Sequence, residues 1–461
     1  MTAARRAIEA LAALSPGGWG ETAVRMGPPA LATPFYGEAA AAAALAAGAA
    51  EAGAIWRTRT GVSQAAAVDT REAAASLISF LFQRFEDPAL APARDLPTTA
   101  ANGFLPCGDG RFVYLHPSFD DSRGHLALLG CEDRPEAVRA ALAGWRAADL
   151  EAAAAKAGLC AAMVRSPGEW DRSDQGRRLA ATPLVEVTRI GEGPPVPFPA
   201  EGDGPLSGVR VLDLTRVLAG PACARTLAAH GAEVLHISGP GLPSVPPFVA
   251  DTGHGKRCAV LDLKTLAGRE RLWALAAEAD VFSQGYRSGA LDRLGFSAEA
   301  MAARRPGIVH VSINCYGHDG DWAERPGWEQ LAQTVSGMAH VQGGAPDGGG
   351  EPALLPAAVN DYTTGYLAAF GTMVALRRRA QDGGSWRVRV SLTRTAMWVR
   401  SLGLHADAAS PFTPGELAGW SLRETAGFGP VSFLRFPATM AATPPRWRRP
   451  SEPLGTHDAA W

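Results

Sequence analysis

Between Gly208 and Leu392 short apolar runs alternate with longer amphipathic ones. Val209–Leu214 (VRVLDL), Glu233–Ile237 (EVLHI), Cys258–Leu263 (CAVLDL), Asp280–Ser283 (DVFS) and Ile308–Ile313 (IVHVSI) read as buried strands. Helical spacing fills the gaps: from Gly220-Pro221 to about His230, Leu266–Glu278, and a short helix near Ala298–Ala303. Strands separated by helices of this length predict βαβ units, hence an open, mostly parallel, Rossmann-like α/β sheet.

The first 190 residues follow a different rhythm. Helices are expected over Gly37–Ala54 and Arg71–Phe80, with a strand at Ala65–Asp69. A stretch punctuated by Pro88, Pro92, Pro97 and Pro106 leads to a strand at Arg111–Leu115, then helices Pro135–Trp145 and Ala148–Ala157. The Gly/Pro-rich segment GEGPPVPFPAEGDGPL at 191–206 predicts a boundary. The expected organisation is an N-terminal segment (1–90), a smaller α+β domain (91–190), a linker (191–206), a large α/β domain (207–405) and a C-terminal tail packing back on it (406–461). Arg59–Leu77 and Asp382–Gly403 echo each other as turn, strand and helix, each after an alanine-rich helix starting near a glycine, Gly37 or Gly365. Two such copies suggest duplication or rotation of a domain's parts, not a solenoid.

Composition narrows the class. Of 461 residues 47% are hydrophobic and 20% charged, as in a globular chain, and 52 glycines and 35 prolines fall short of low complexity. A formal charge of −2 offers no basic field for nucleic acid or an anionic membrane, so neither is an expected partner. The cationic residues are nearly all arginine, the only lysines being Lys156, Lys256 and Lys264, which reflects compositional bias. The six cysteines lie far apart, without CxxC or zinc-ligand spacing; reduced thiols, a cytoplasmic protein and no metal are expected. No secretory signal is read in Met1–Leu14, and Ala39–Ala54, at ~16 residues, is read as too short to span a bilayer.

The fold invites a dinucleotide reading, but Thr215–Pro221 (TRVLAGP) has one glycine where G-x-G-x-x-G is needed, and Pro221 removes a backbone donor. No P-loop sequence is present. Asp361, in Val359–Gly365 (VNDYTTG) ahead of an apolar helix, has two readings: an N-cap carboxylate, or a nucleophile held ionised by the helix dipole. His254, Lys256 and Arg257 form a cationic cluster that suits either a phosphate or a solvated loop. His318 and Asp319 lie between turn-forming glycines, and Gly343–Gly350 reads as a loop or lid.

These segments match a known pattern. Leu206–Ile237, Gly255–Lys264, Ala279–Phe296, Arg325–Gly337 (RPGWEQLAQTVSG) and Asn360–Gly365 resemble, in order and spacing, the class III CoA-transferase (CaiB/BaiF) family, which includes formyl-CoA and carnitine CoA-transferases. The resemblance implies that CoA moves between an acyl-CoA and a small carboxylic acid through an aspartyl anhydride and an aspartyl-CoA thioester, with Asp361 as nucleophile. It places CoA contacts at Leu218, Ala219, Leu261, Asp262, Leu263, Lys264, Gly285, Tyr286, Arg287 and Arg293, with Trp328 and Glu329 close by. Lys264, Arg287 and Arg293 would meet the phosphates. It also implies a homodimer, CoA as substrate and no tightly held cofactor. Backbone N–H groups at the start of the Asp361 helix are the expected oxyanion donors.

The chain departs from the family pattern in several places. Ser238-Gly239 stands where the family often has an arginine that helps hold CoA, and Asn360 replaces a glycine. Segments that normally follow the aspartate here come first, and Thr33–Gly37 (TPFYG) carries no aspartate. Two alternatives follow: an α-methylacyl-CoA racemase-like isomerase, weakened because Gly327-Trp328-Glu329 lacks a histidine, or a non-catalytic CoA-binding partner subunit.

Overall fold

The computed structural model describes residues 3–15, 18–88, 91, 99–119, 122–344 and 350–461. Pro92, Pro97 and the centre of the Gly343–Gly350 loop lie outside them. The seven strands of the main sheet are β1 (Glu186–Gly191), β2 (Arg210–Leu214), β3 (Glu233–Ser238), β4 (Lys256–Val260), β5 (Val281–Gln284), β6 (Val309–Asn314) and β7 (Ser385–Ser391). Their order is β4-β3-β2-β5-β6-β7-β1. All neighbours run parallel except β1, which lies antiparallel to β7 with Val187 opposite Val388. The chain moves outward from β2 to β4 and then restarts at β5 on the other side of β2. This topological switch opens a crevice beyond the carboxyl ends of β2 and β5, where open α/β sheets take their ligands.

The α/β expectation for this half holds, with element ends shifted by a few residues: the third strand is Lys256–Val260 and the first crossover helix is Ala219–Ala229. Residues 186–191, expected in the smaller domain, instead close the large sheet. The 191–206 segment is less free than its composition suggests. Gly384 N–H donates to the Gly193 carbonyl (2.9 Å), and Leu206 is fully buried.

Residues 99–164 hold an antiparallel sheet of Gly103–Pro106, Phe112–Leu115 and Ala161–Met163. It has a hydrophobic cluster of its own around Val113, Val138, Leu142 and Leu150. The C-terminal residues reach both halves. The Ser421–Ala426/Gly429–Leu434 hairpin pairs with Arg84–Phe85, and the Trp461 indole donates to the Leu275 carbonyl at 3.0 Å.

The internal echo has a spatial counterpart. The helix Gly37–Thr60 precedes the strand Ala66–Asp69, just as the helix Val359–Asp382 precedes β7, and these two 24-residue helices pack side by side. A Cβ at Gly37 would lie 3.1 Å from Val359, Gly48 faces Met373, and Glu51 pairs with Arg377, so the helices run parallel. The first helix is longer than its sequence suggested, and by length and composition it is able to cross a bilayer. Its place is set by burial: 89% of its apolar window is enclosed, and the alanines let neighbouring backbones approach closely.

A buried ion pair, Glu51–Arg377, joins the two helices. Arg377 Nε donates to Glu51 Oε1 at 2.6 Å, and Ser15 Oγ and Trp19 Nε1 donate to Oε2 at 2.7 and 3.0 Å. Glu51→Ala strands the guanidinium in the core and should cost about 3–5 kcal/mol. Adding Arg377→Met should recover most of that loss in urea denaturation; equal losses in the single and double variants would refute the assignment.

Candidate active site

Asp361 sits in the first turn of the Val359–Asp382 helix, whose N-cap position is Ala358 and has no capping side chain. The cap comes from another helix. Glu329, first residue of Glu329–Ser336, turns its carboxylate onto this terminus: Oε2 accepts the Asp361 N–H at 2.7 Å, and Oε1 accepts the Asn360 N–H at 3.1 Å and its side-chain amide at 3.2 Å. Gln333 Nε2 donates to Oε1 at 2.8 Å and its own Oε1 accepts from Leu355 N–H, fixing the arrangement. Asp361 is therefore not the cap, and two N–H groups expected to serve an oxyanion are already taken. Close helix packing holds the turn in place: a Cβ at Gly365 would lie 2.5 Å from the Ala219 carbonyl oxygen.

With Glu329 capping, the Asp361 carboxylate accepts no hydrogen bond among the described residues, though it is only 7% exposed. Burial first, and the Glu329 charge second, hold its pKa well above the usual carboxylate range. Burial also raises Glu329, against the opposing hydrogen bonds from Gln333, Asn360 and Asp361. The two carboxyls act as a pair. Glu329, with four donors, keeps the charge and Asp361 keeps the proton. This reverses the expectation that the helix dipole holds Asp361 ionised.

Asp361 and Glu329 open into a cavity of about 470 Å³. Its walls come from the N-terminal segment (Phe80), the 99–164 unit (Asn102, Tyr114 and the loop His116–Phe119), and segments of the large α/β half (Val217, Leu218, Val245, Phe248, Trp328, Leu354–Ala358). Val217 lies at φ 70°, a strained conformation for a β-branched residue, in the turn from β2. The Trp328 indole donates to Ser118 Oγ at 3.1 Å and stacks on His116, tying the small unit's loop over the site. Ser118 N–H donates to His116 Nδ1 at 3.0 Å, so the imidazole proton sits on Nε2. Burial pushes His116 down to about 4, helped by His125, and the ring is neutral at pH 7.

The family model of CoA-transferase family III matches residues 206–430. Residues 206–430 belong to CoA-transferase family III. Among curated proteins, the chain is 37% identical to an acyl-CoA transferase of Gibberella moniliformis over 62% of this chain and 53% of that one. It is 36% identical to the succinyl-CoA:glutarate CoA-transferase of Homo sapiens over 39% and 43% of the two chains. The chain thus spans about half the length of the curated relatives it matches. Among solved structures, a CaiB/BaiF family protein from Brucella suis is 30% identical over 42% of this chain and 55% of that one, with a TM-score of 0.38.

Within this CoA-transferase region the structure separates the expected contacts into two groups. Leu218, Trp328, Glu329 and Asp361 line one cavity, with Ala219 beginning the adjoining helix. Leu261–Lys264 and Gly285–Arg287, with Arg293, lie outside it: the first segment follows β4 at the sheet's edge, and the second follows β5 beside the switch point. There Leu261, Leu263 and Tyr286 are half-buried against the Leu212–Phe282 cluster, while Lys264, Arg287 and Arg293 are exposed. Arg287 Nη2 reaches the Gly158 carbonyl at 3.3 Å.

The GHGKR cluster is neither a phosphate site nor a solvated loop. Lys256 is buried, donating to Asp213 Oδ2 and the Pro221 carbonyl, each at 3.0 Å; His254 stacks between Phe433 and Trp447; Arg257 pairs with Glu233. Burial raises the Asp213 carboxyl, but Lys256 and His236 outweigh it and hold the group well below its usual range. His318 meets the Val390 carbonyl and Asp319 meets Arg389, and among the described residues no cluster of His, Cys, Asp and Glu is placed to hold a metal.

Sequence reasoning missed His116, Ser118, Phe119, Phe80 and Phe248. Their types are ordinary and they reach the cavity from three separate parts of the chain, so no local pattern marks them. Because the folded Asp361 holds a proton that the unfolded chain releases above about pH 4, stability falls as pH rises through the intervening range. Asp361→Asn should therefore be more stable than the parent by about 1–3 kcal/mol at pH 8, with a smaller gain at pH 5. Urea titrations at both pH values test this, and a gain independent of pH would contradict it.

Proposed function

We propose that the chain is an acyl-CoA:carboxylate CoA-transferase of class III type with Asp361 as covalent nucleophile. The observation that carries the reading is an aspartate carboxyl buried at a helix start, without a hydrogen-bond donor among the described residues, opening into a cavity beside the crevice of a family III region. After Asp361 gives its proton to solvent water, a carboxylate oxygen attacks the thioester carbonyl. The C–S bond breaks, giving an acyl–aspartyl anhydride and CoA thiolate. The thiolate then attacks the aspartyl carbonyl, releasing the donor acid as its carboxylate and leaving aspartyl-CoA thioester. The acceptor carboxylate runs the two steps in reverse, regenerating Asp361.

Burial makes the ionised aspartate a poorly solvated, reactive nucleophile, and the charged Glu329 beside it opposes its ionisation in the empty site. The neutral His116 imidazole presents an Nε2–H for a developing oxyanion. The exposed Lys264, Arg287 and Arg293 are assigned to the CoA phosphates, at the rim, with the pantetheine arm leading inward. A hydroxylamine quench after incubation with acyl-CoAs should leave a hydroxamate on Asp361, found by peptide mass spectrometry and absent in Asp361→Ala. CoA binding with Asp361 unmodified across all donors would refute the mechanism.

One observation favours a second reading, a racemase-like isomerase: a neutral histidine and a protonated carboxyl, His116 and Asp361, share the cavity. Exchange of the α-proton of a 2-methylacyl-CoA with deuterated solvent, without acyl transfer, would select it.

The assembly is proposed as a homodimer whose active sites are each whole within one chain, since one chain forms the cavity from its N-terminal segment, small unit and large sheet. Activity per site should stay constant on dilution through dimer dissociation followed by sedimentation; loss of activity with dissociation would show a shared site. A cytoplasmic setting is part of this reading, in keeping with cysteines that form no disulfide among the described residues.

A further inference from the structure

The cavity's lining carries information about the acyl group, and the following rests on the CoA-transferase reading above. Much of the wall is apolar, including Phe80, Val245, Phe248, Leu354 and Leu355. The polar groups among them are amides, hydroxyls, the Trp328 indole and the neutral His116, and the charge-bearing pair is Asp361 with Glu329. Among the described residues no lysine or arginine lines the cavity. The nearest guanidinium in the adjoining groove, Arg216, stacks over the Phe119 ring at 5.0 Å to its centroid and donates to the Pro243 carbonyl.

We infer that the site takes acyl groups with an uncharged, predominantly apolar chain, and that it discriminates against ω-carboxyacyl groups. A second carboxylate carried into this cavity sheds its hydration without gaining a cationic partner. It also meets the charge of the Glu329–Asp361 pair at short range in a poorly screened site. An aliphatic or aromatic chain instead buries apolar surface against the phenylalanines and leucines. At about 470 Å³ the space is that of a ligand of some size, ample for a chain of several carbons together with the thiol end of the pantetheine arm.

The test compares three thioesters of one chain length, reading the rate at which each acylates Asp361 by rapid quench and mass spectrometry. Hexanoyl-CoA should react at least ~100-fold faster than adipoyl-CoA, which differs only by the terminal carboxylate, and masking that carboxylate as its methyl ester should restore the rate to within about tenfold. Leu354→Arg, which supplies a cation, should narrow the gap between hexanoyl- and adipoyl-CoA. Equal labelling of Asp361 by hexanoyl- and adipoyl-CoA overturns the inferred substrate class and leaves the transferase reading standing. No labelling by any of the three overturns both.

Discussion

The contact on which the site depends is a carboxylate from one helix placed on the N-terminus of another. A helix start presents N–H groups and a positive dipole end, and something must satisfy them when the turn is buried. In this protein Glu329 does so from a distance of about thirty residues along the chain, accepting the Asn360 and Asp361 N–H groups. Capping from outside frees the helix's own acid. Asp361, in a position where an aspartate ordinarily folds back onto its backbone, faces the cavity. The same contact sets the electrostatics, because two buried carboxyls this close retain a proton between them and Glu329 has the donors that stabilise charge.

Sheet topology determines where that contact is placed. The chain leaves β2 for one edge and returns at β5 on the other, and the gap between their carboxyl ends receives the Thr215–Leu218 turn, the Gly285–Arg287 loop and the start of the Asp361 helix. Gly365 allows that helix to lie almost backbone to backbone against Ala219–Ala229. On its other flank runs the Gly37–Thr60 helix, an element of equal length from the opposite end of the chain. A buried network seals this side: Ser79 Oγ, Tyr362 Oη and Arg225 Nη1 all donate to Asp251 Oδ2, at 2.9, 2.7 and 2.8 Å. Ser79 is next to Phe80, so the network holds one cavity wall to the helix that carries Asp361.

Much of the fold was legible because strand and helix periods are local properties. Val211, Val281, Val309 and Val388 announce their burial by their neighbours, and the repeated helix–strand–helix order at 37–76 and 359–401 is visible in the chain. Charge was less legible. Lys256 and His254 look like a surface cluster, because nothing nearby in sequence shows that Asp213 and Pro221, or Phe433 and Trp447, will enclose them. The antiparallel edge strand at 186–191 was likewise hidden, since its partner β7 lies some two hundred residues further on.

The sequence by itself determined the α/β class, the family pattern over 206–365 and Asp361 as the candidate acid, since each rests on residue types at short, fixed spacings. Only the tertiary structure decided that Asp361 is not a cap, that Glu329 caps the helix in its place, and that His116, Phe80 and Phe248 complete the cavity. These are consequences of desolvation and of hydrogen-bond donors being assigned to one acceptor and not another, quantities that depend on which distant surfaces meet.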